Sequence, residues 1–114
     1  MYTGKAAVFY RPNDLRVEKK RFSSNNLVRI NSCAVCSYDI RVFINGHKKV
    51  TPPVILGHEI SGITKSNIKL RNKEEIKKDT KVVISPLIPC LNCFYCNNEN
   101  FNLCSKLQEL GSSR

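Results

Sequence analysis

Cys90-Leu91-Asn92-Cys93-Phe94-Tyr95-Cys96, followed after seven more residues by Cys104, is the stretch on which the reading of this 114-residue chain turns. From Pro86 to Leu107 the apolar pattern is poor, so the segment needs something other than a core to hold it. Four thiolates this close repel one another unless a cation neutralises them. Zn²⁺ bound by four sulfurs is the closed tetrahedral site that does so, and a closed site is structural. Such an ion would order a lobe that lacks its own core, at about residues 86–107. The competing pattern is the iron–sulfur run C-x2-C-x2-C-x3-C-P. The first three cysteines agree with it, but seven residues precede Cys104 and Ser105 follows where Pro is required. The expected ligands of a structural zinc are therefore Cys90, Cys93, Cys96 and Cys104.

The rest of the composition bounds the setting. The length suffices for one domain with a modest core, and 41% hydrophobic with 25% charged residues is an ordinary soluble mixture. No run of about 18 apolar residues exists, so no membrane span is expected. The first residues lack a long apolar stretch, so a cleaved secretory signal is not expected either. The six cysteines are read as reduced thiols in a cytoplasmic protein rather than as three disulfides. The formal charge is +10. Its lysines are scattered and are densest from Lys65 to Lys81, where Glu74, Glu75 and Asp79 are mixed in, which reads as a solvated face.

Outward from the cysteine lobe the chain is strand-rich. Lys5–Tyr10, Leu15–Glu18, Leu27–Ile30, Ile60–Ile63 and Lys81–Ser85 read as strands, with a turn at Arg11-Pro12-Asn13-Asp14 and a loop at Ser23–Asn26. Pro52-Pro53 keeps Val50–Leu56 extended. Ser37 caps an expected short helix over Tyr38–Asn45, with Ile40, Phe43 and Ile44 on one face and Asn45-Gly46 stopping it. Several short strands between turn signals point to a mainly β fold, a barrel or sandwich with short helices.

Cys36 with Gly57-His58-Glu59 forms a second candidate constellation. One thiolate and one imidazole are good zinc ligands, and a catalytic zinc keeps three protein ligands and an open position. At a helix N-terminus the Cys36 thiolate is stabilised, and Glu59 is placed either to bind the metal or to orient its surroundings. Taken alone, this pair is more readily read as a buried Cys and a hydrogen-bonded His. His47 lies in a loop and reads as solvated. Cys33 and Cys36 also form C-x-x-C, but no βαβ pattern surrounds them to support a redox pair.

Taken in order, these motifs resemble the zinc-dependent medium-chain alcohol dehydrogenases, including their polyol and threonine dehydrogenase branches. The resemblance runs from Lys5-Ala6-Ala7-Val8-Phe9-Tyr10 and Asp14-Leu15-Arg16-Val17-Glu18 through Cys33-Ala34-Val35-Cys36-Ser37-Tyr38-Asp39. It continues through Pro52-Pro53-Val54-Ile55-Leu56-Gly57-His58-Glu59-Ile60-Ser61-Gly62 to the four cysteines. It implies a GroES-like β-barrel domain over residues 1–114. Cys36 and His58 would be ligands of a catalytic zinc, and Glu59 an alternative ligand or a partner of those ligands. The implied reaction is reversible oxidation of a small alcohol or polyol to an aldehyde or ketone, with zinc as Lewis acid and NAD(P) as hydride acceptor.

Departures from the family pattern are specific. Tyr38 stands where Ser or Thr usually passes the substrate proton outward, Arg41 where many members have His, and Asp79-Thr80 where Gly-Asp is usual. None of the five glycines has the G-x-G-x-x-G spacing of a Rossmann domain. The nucleotide site and a further zinc ligand are thus expected outside these residues, and the chain is expected to be inactive alone. Homo-oligomer formation is an expectation only for a longer form, and neither nucleic acid nor membrane is an expected partner. Two alternatives stand beside the enzyme: a zinc-stabilised remnant without catalysis, and a basic zinc-ribbon-like module that binds nucleic acid.

Overall fold

The computed structural model describes residues 1–70 and 73–112. Arg71 and Asn72, within the basic stretch, and Ser113 and Arg114, at the expected domain end, lie outside the described residues. The chain opens with a long hairpin of β1 (Tyr2–Arg11) and β2 (Asp14–Phe22). Pro12 and Asn13 turn it, and Asn13 takes φ 63°, a left-handed conformation that Asn tolerates well. Both strands run longer than the alternation of apolar residues indicates, because the basic outer half of the hairpin is held by pairing rather than burial, with Lys5 opposite Lys19 and Thr3 opposite Arg21.

At its inner end β1 also pairs with β4 (Val54–Ile55), placing Phe9 opposite Val54. Here the core begins. Phe9 (1% exposed) and Val42 (0%) pack with Val50 and Val54, and Tyr38 and Leu56 lie against them. The core is small, so a single aromatic ring carries much of it.

Helix α1 (Ser37–Asn45) supplies Val42. Its N-cap is Cys36, so Ser37 is its first residue rather than its cap, and a capping box ties Cys36 to Asp39 at the third helical position. The expected apolar face is not the buried one. Asp39 and Val42 face inward, whereas Ile40 and Ile44 are 52% and 50% exposed. The capping box explains the difference: the Asp39 carboxylate turns back to the Cys36 N–H at 3.0 Å, which sets the rotation of the helix and points the 39/42 stripe at the core.

A second sheet has the order β3 (Val28–Ala34), β5 (Glu59–Thr64), β8 (Lys81–Ile84), all antiparallel, with an irregularity between Ile30 and Ser32. Thr64, fully buried, donates its hydroxyl to the Lys77 carbonyl oxygen at 2.7 Å and accepts the Thr80 N–H at 3.0 Å. This clamps a short ribbon of β6 (Ile68–Lys69) and β7 (Glu75–Ile76), formed within the lysine-dense stretch. Asp79 sits there at φ 62°, which accounts physically for the glycine usual at that position.

After β8 come β9 (Leu87–Ile88), α2 (Phe94–Asn97), a single 3₁₀ turn (Phe101–Leu103) and β10 (Gln108–Glu109). β10 returns to pair with β9, closing off the cysteine lobe. Within the lobe Phe94 and Leu103 are exposed, and the buried side chains are Cys96 and Cys104. Its interior is sulfur, as the poor apolar pattern predicts. No helix among the described residues is long and apolar enough to cross a membrane.

Candidate metal centres

The sulfurs of Cys90, Cys93, Cys96 and Cys104 all lie within 4.8 Å of one another, and none of the four is in a disulfide. A tetrahedral ion with metal–sulfur bonds of about 2.3 Å has sulfur–sulfur edges of about 3.8 Å. The Cys90–Cys96 separation of 4.0 Å is close to that edge. Backbone amides converge on the sulfurs. The Cys90 N–H donates to Cys104 Sγ at 3.2 Å and the Lys106 N–H at 3.4 Å. Amides of Cys96 and Ser105 donate toward Cys93, pulling its thiol down to about 5. Burial, together with the neighbouring sulfurs, pushes Cys96 up to about 12. Four thiols this close cannot all ionise without a cation to offset their mutual repulsion. The donor set fits zinc.

The second group joins three elements. Cys36 comes from the end of β3 and the start of α1, Asp39 from the first turn of α1, and His58 from the residue before β5. One ligand atom from each lies within 4.8 Å of the others. Cys36 Sγ is 3.5 Å from His58 Nε2, which is close to the sulfur–nitrogen edge of about 3.6 Å that a tetrahedral zinc requires. On the far side of the ring, His58 Nδ1 is 3.5 Å from Asp39 Oδ1. A carboxylate on the outer nitrogen leaves Nε2 to face a metal, the arrangement usual for ligating histidines.

Of the residues expected here, the structure brings Cys36 and His58 together. Glu59 is exposed on β5, opposite Ala34, and stands outside the group. Cys33 also stands outside it. Asp39 is the member that the motif reading passed over, although its position three residues after Cys36 is the signature of a capping box. Tyr38 places its ring edge-on to His58, with centroids 6.0 Å apart, and edge-on to His47 at 5.4 Å. His47 is an exposed loop residue, as expected, and is also an aromatic neighbour of Tyr38. It accepts the Lys49 N–H at Nδ1, 3.2 Å away.

His58 is held from both sides through the residue before it. Gly57 has φ 110°, and a Cβ there would lie 2.6 Å from Cys33 Sγ. Gly111 has φ 79°, and a Cβ on it would meet the Gly57 carbonyl oxygen at 2.5 Å. The missing side chain of Gly111 lets the chain returning from the lobe lie directly on the backbone that carries His58, and that of Gly57 leaves room for Cys33 on the other side. The result is a cavity of about 250 Å³, with Tyr38, His58, Glu109 and Ser112 as its polar lining and Pro86, Leu87 and Leu110 as its apolar lining. The walls come from both regions of the molecule.

Fold and donor sets together define a mainly β domain with a lobe centred on sulfur and a His–Cys group beside a small cavity, both able to hold a metal ion. Residues 23–112 match the family of alcohol dehydrogenase GroES-like domains, and the chain belongs to that family. It is 29% identical over 107 residues to a sorbitol dehydrogenase of Bombyx mori, covering 87% of this chain and 30% of that protein. It is 28% identical over 94 residues to the L-idonate 5-dehydrogenase (NAD(P)⁺) of Escherichia coli, covering 80% and 26%. An alcohol dehydrogenase from Thermotoga maritima superposes with a TM-score of 0.83 at 26% identity, over 100% of this chain and 34% of that one. The chain therefore spans about a third of the length of the relatives it matches.

Proposed function

We propose that these residues form the metal- and substrate-binding part of a zinc-dependent, NAD(P)-linked dehydrogenase of alcohols or polyols. Cys36 and His58 are the ligands of a catalytic zinc, and Cys90, Cys93, Cys96 and Cys104 those of a structural one. The observation that carries the reading is the 3.5 Å approach of Cys36 Sγ to His58 Nε2 with Asp39 behind the ring.

Zinc bound at Cys36 and His58 would supply Lewis-acid activation of an alcohol oxygen. The residues of this chain arrange for it. Asp39 stands 3.5 Å behind Nδ1, which leaves Nε2 on the metal side. Pro86, Leu87 and Leu110 exclude water from one wall of the cavity. Tyr38 occupies the position of the proton relay, and burial, followed by the charges of Glu109 and Asp39, holds its phenol above the usual range. It therefore stays protonated at neutral pH and acts as a hydrogen-bond donor rather than as a base. Glu59 becomes a ligand only if its side chain swings in from the exposed face of β5. The sequence offers no G-x-G-x-x-G, so no step involving the nucleotide is assigned to its residues. The 114 residues alone are inactive, and NAD(P)⁺ reduction by them with any alcohol would contradict that.

Zinc content tests the reading. About two ions per chain are expected, falling to one in Cys36→Ser. One ion in both proteins would remove the catalytic site from the proposal and leave the lobe.

A further inference from the structure

The two faces of the β1–β2 hairpin carry their cations differently. On one face each cation has an acid: Arg16 holds Asp14 with two bonds of 2.9 Å, and Lys20 Nζ is 2.7 Å from Glu18. Arg11, at the turn, is 3.5 Å from Asp14. The opposite face sets Lys5 against Lys19 and Thr3 against Arg21, all exposed. Among the described residues no carboxylate pairs with these three cations. Lys5 and Lys19 lie well apart in the sequence and meet through the register of the hairpin, so the scatter of lysines along the chain conceals the patch. Like charges set directly opposite one another cost stability. Protection of an open sheet edge accounts for the cations of β2, the outer strand of its sheet, but not for Lys5 on the inner strand. Towards the turn the same face becomes apolar, with Val17 73% and Leu15 45% exposed, so the charge is confined to the free end of the ribbon.

That end also carries an aromatic pair. Tyr2 lies opposite Phe22, with ring centroids 6.0 Å apart and planes 20° from parallel, and the two residues are 51% and 45% exposed. Gly4 makes room for the stack, since a Cβ there would meet the Phe22 ring at 3.4 Å. By register the rings belong to the face opposite Lys5, at the last pair of the ribbon, so a ligand that follows the cations meets the rings by rounding the ribbon's end. We propose that this end of the hairpin binds single-stranded nucleic acid, with Lys5, Lys19 and Arg21 on its phosphates and the Tyr2–Phe22 pair under a base. Cations that track a backbone and exposed rings on which bases stack are the two parts of a sequence-tolerant single-strand site. A single strand bends round the end of the ribbon, whereas a duplex, stiff over about 150 base pairs, does not. The surface lies apart from Cys36, His58 and the cysteine lobe, and the inference does not depend on the reading of either.

Fluorescence anisotropy of a short labelled oligothymidine, titrated with the full chain over a series of salt concentrations, tests it. Each phosphate neutralised on a single strand contributes about 0.7 to the slope of log K against log salt. Lys5→Gln, Lys19→Gln and Arg21→Gln together are therefore expected to flatten that slope by about 2. Lys69→Gln, Lys77→Gln and Lys78→Gln together remove the same charge from the β6–β7 region and should flatten it by less than about 0.7. Phe22→Leu, apolar but without a ring, should weaken binding by about fivefold or more and leave the slope unchanged. Lys5→Arg with Lys19→Arg, which keeps the charge, should bind as the parent chain does and controls for disturbance of the hairpin. A duplex of the same length should bind more weakly at every salt concentration. Equal flattening by the two triple replacements would reduce the effect to net charge and overturn the inference. Unchanged affinity in Phe22→Leu, tighter binding of the duplex, or binding of phosphatidylserine vesicles without binding of the oligonucleotide would overturn it as well.

Discussion

The two candidate metal sites are built on opposite plans. The lobe draws its four sulfurs from fifteen consecutive residues and has almost no apolar interior. Cys36 and His58 are 22 residues apart and meet because α1 is anchored in the core by Val42 beside Phe9 and β3 is paired with β5. On the proposed reading an ion substitutes for a core in the first region, and in the second a core presents ligands to an ion. The lobe should therefore depend on metal and be largely indifferent to the rest of the domain, and the site should behave the other way round.

The sharpest way to break this contrast is to remove metal. Structural zinc contributes about 10–16 kcal/mol of apparent binding energy in small zinc domains, so a chelator, or Cys104→Ser, is expected to abolish amide protection across the lobe. Hydrogen exchange should still find β1 and β2 protected. Simultaneous loss in both would mean that the lobe and the sheets form one cooperative unit. Next is Phe9→Ala, expected to cost about 3–5 kcal/mol in denaturant unfolding. It should release the metal at Cys36 and His58 while sparing the lobe, and loss of both ions together would contradict the contrast.

Smaller effects refine it. Asp39→Asn is expected to weaken the second ion by about 10- to 100-fold, as removal of a partner to a ligating residue does, with no change at the four cysteines. Competition against a chromophoric chelator measures both affinities. Finally, Val83 is 83% exposed on β8, so Val83→Thr should change stability by no more than about 0.5 kcal/mol. A change above about 1 kcal/mol would show that this face of the second sheet is covered in solution.

The same contrast explains what the sequence disclosed. The lobe was readable from spacing alone, because its ligands are neighbours along the chain. Strands β1, β2, β3, β5 and β8 were readable from alternation and turn residues, though their ends were not, since pairing extends the hairpin past its apolar residues. Cys36 and His58 emerged as a pair only through the family motif. The buried stripe of α1 was misread because apolar periodicity favours Ile40 and Ile44, and only the Asp39 capping box reveals the true rotation. Ribbon β6–β7 has a single apolar pair, Ile68 opposite Ile76, too short for alternation to show, and is tied down by the buried Thr64 from another strand. Glu109 could not be found at all by pattern: its place in the cavity is set by the return of β10 onto β9.

The contact between Gly57 and Gly111 makes two positions 54 residues apart behave as a single site of inheritance. A methyl group on Gly111 would drive the chain returning from the lobe off the backbone that carries His58 and open the cavity wall, while one on Gly57 would collide with Cys33 Sγ behind that same backbone. In descendants of this sequence, neither glycine can be exchanged gradually. Replacement would first require a rebuilt connection between lobe and sheet, so substitutions at either position are informative markers of members in which the cavity has been given up.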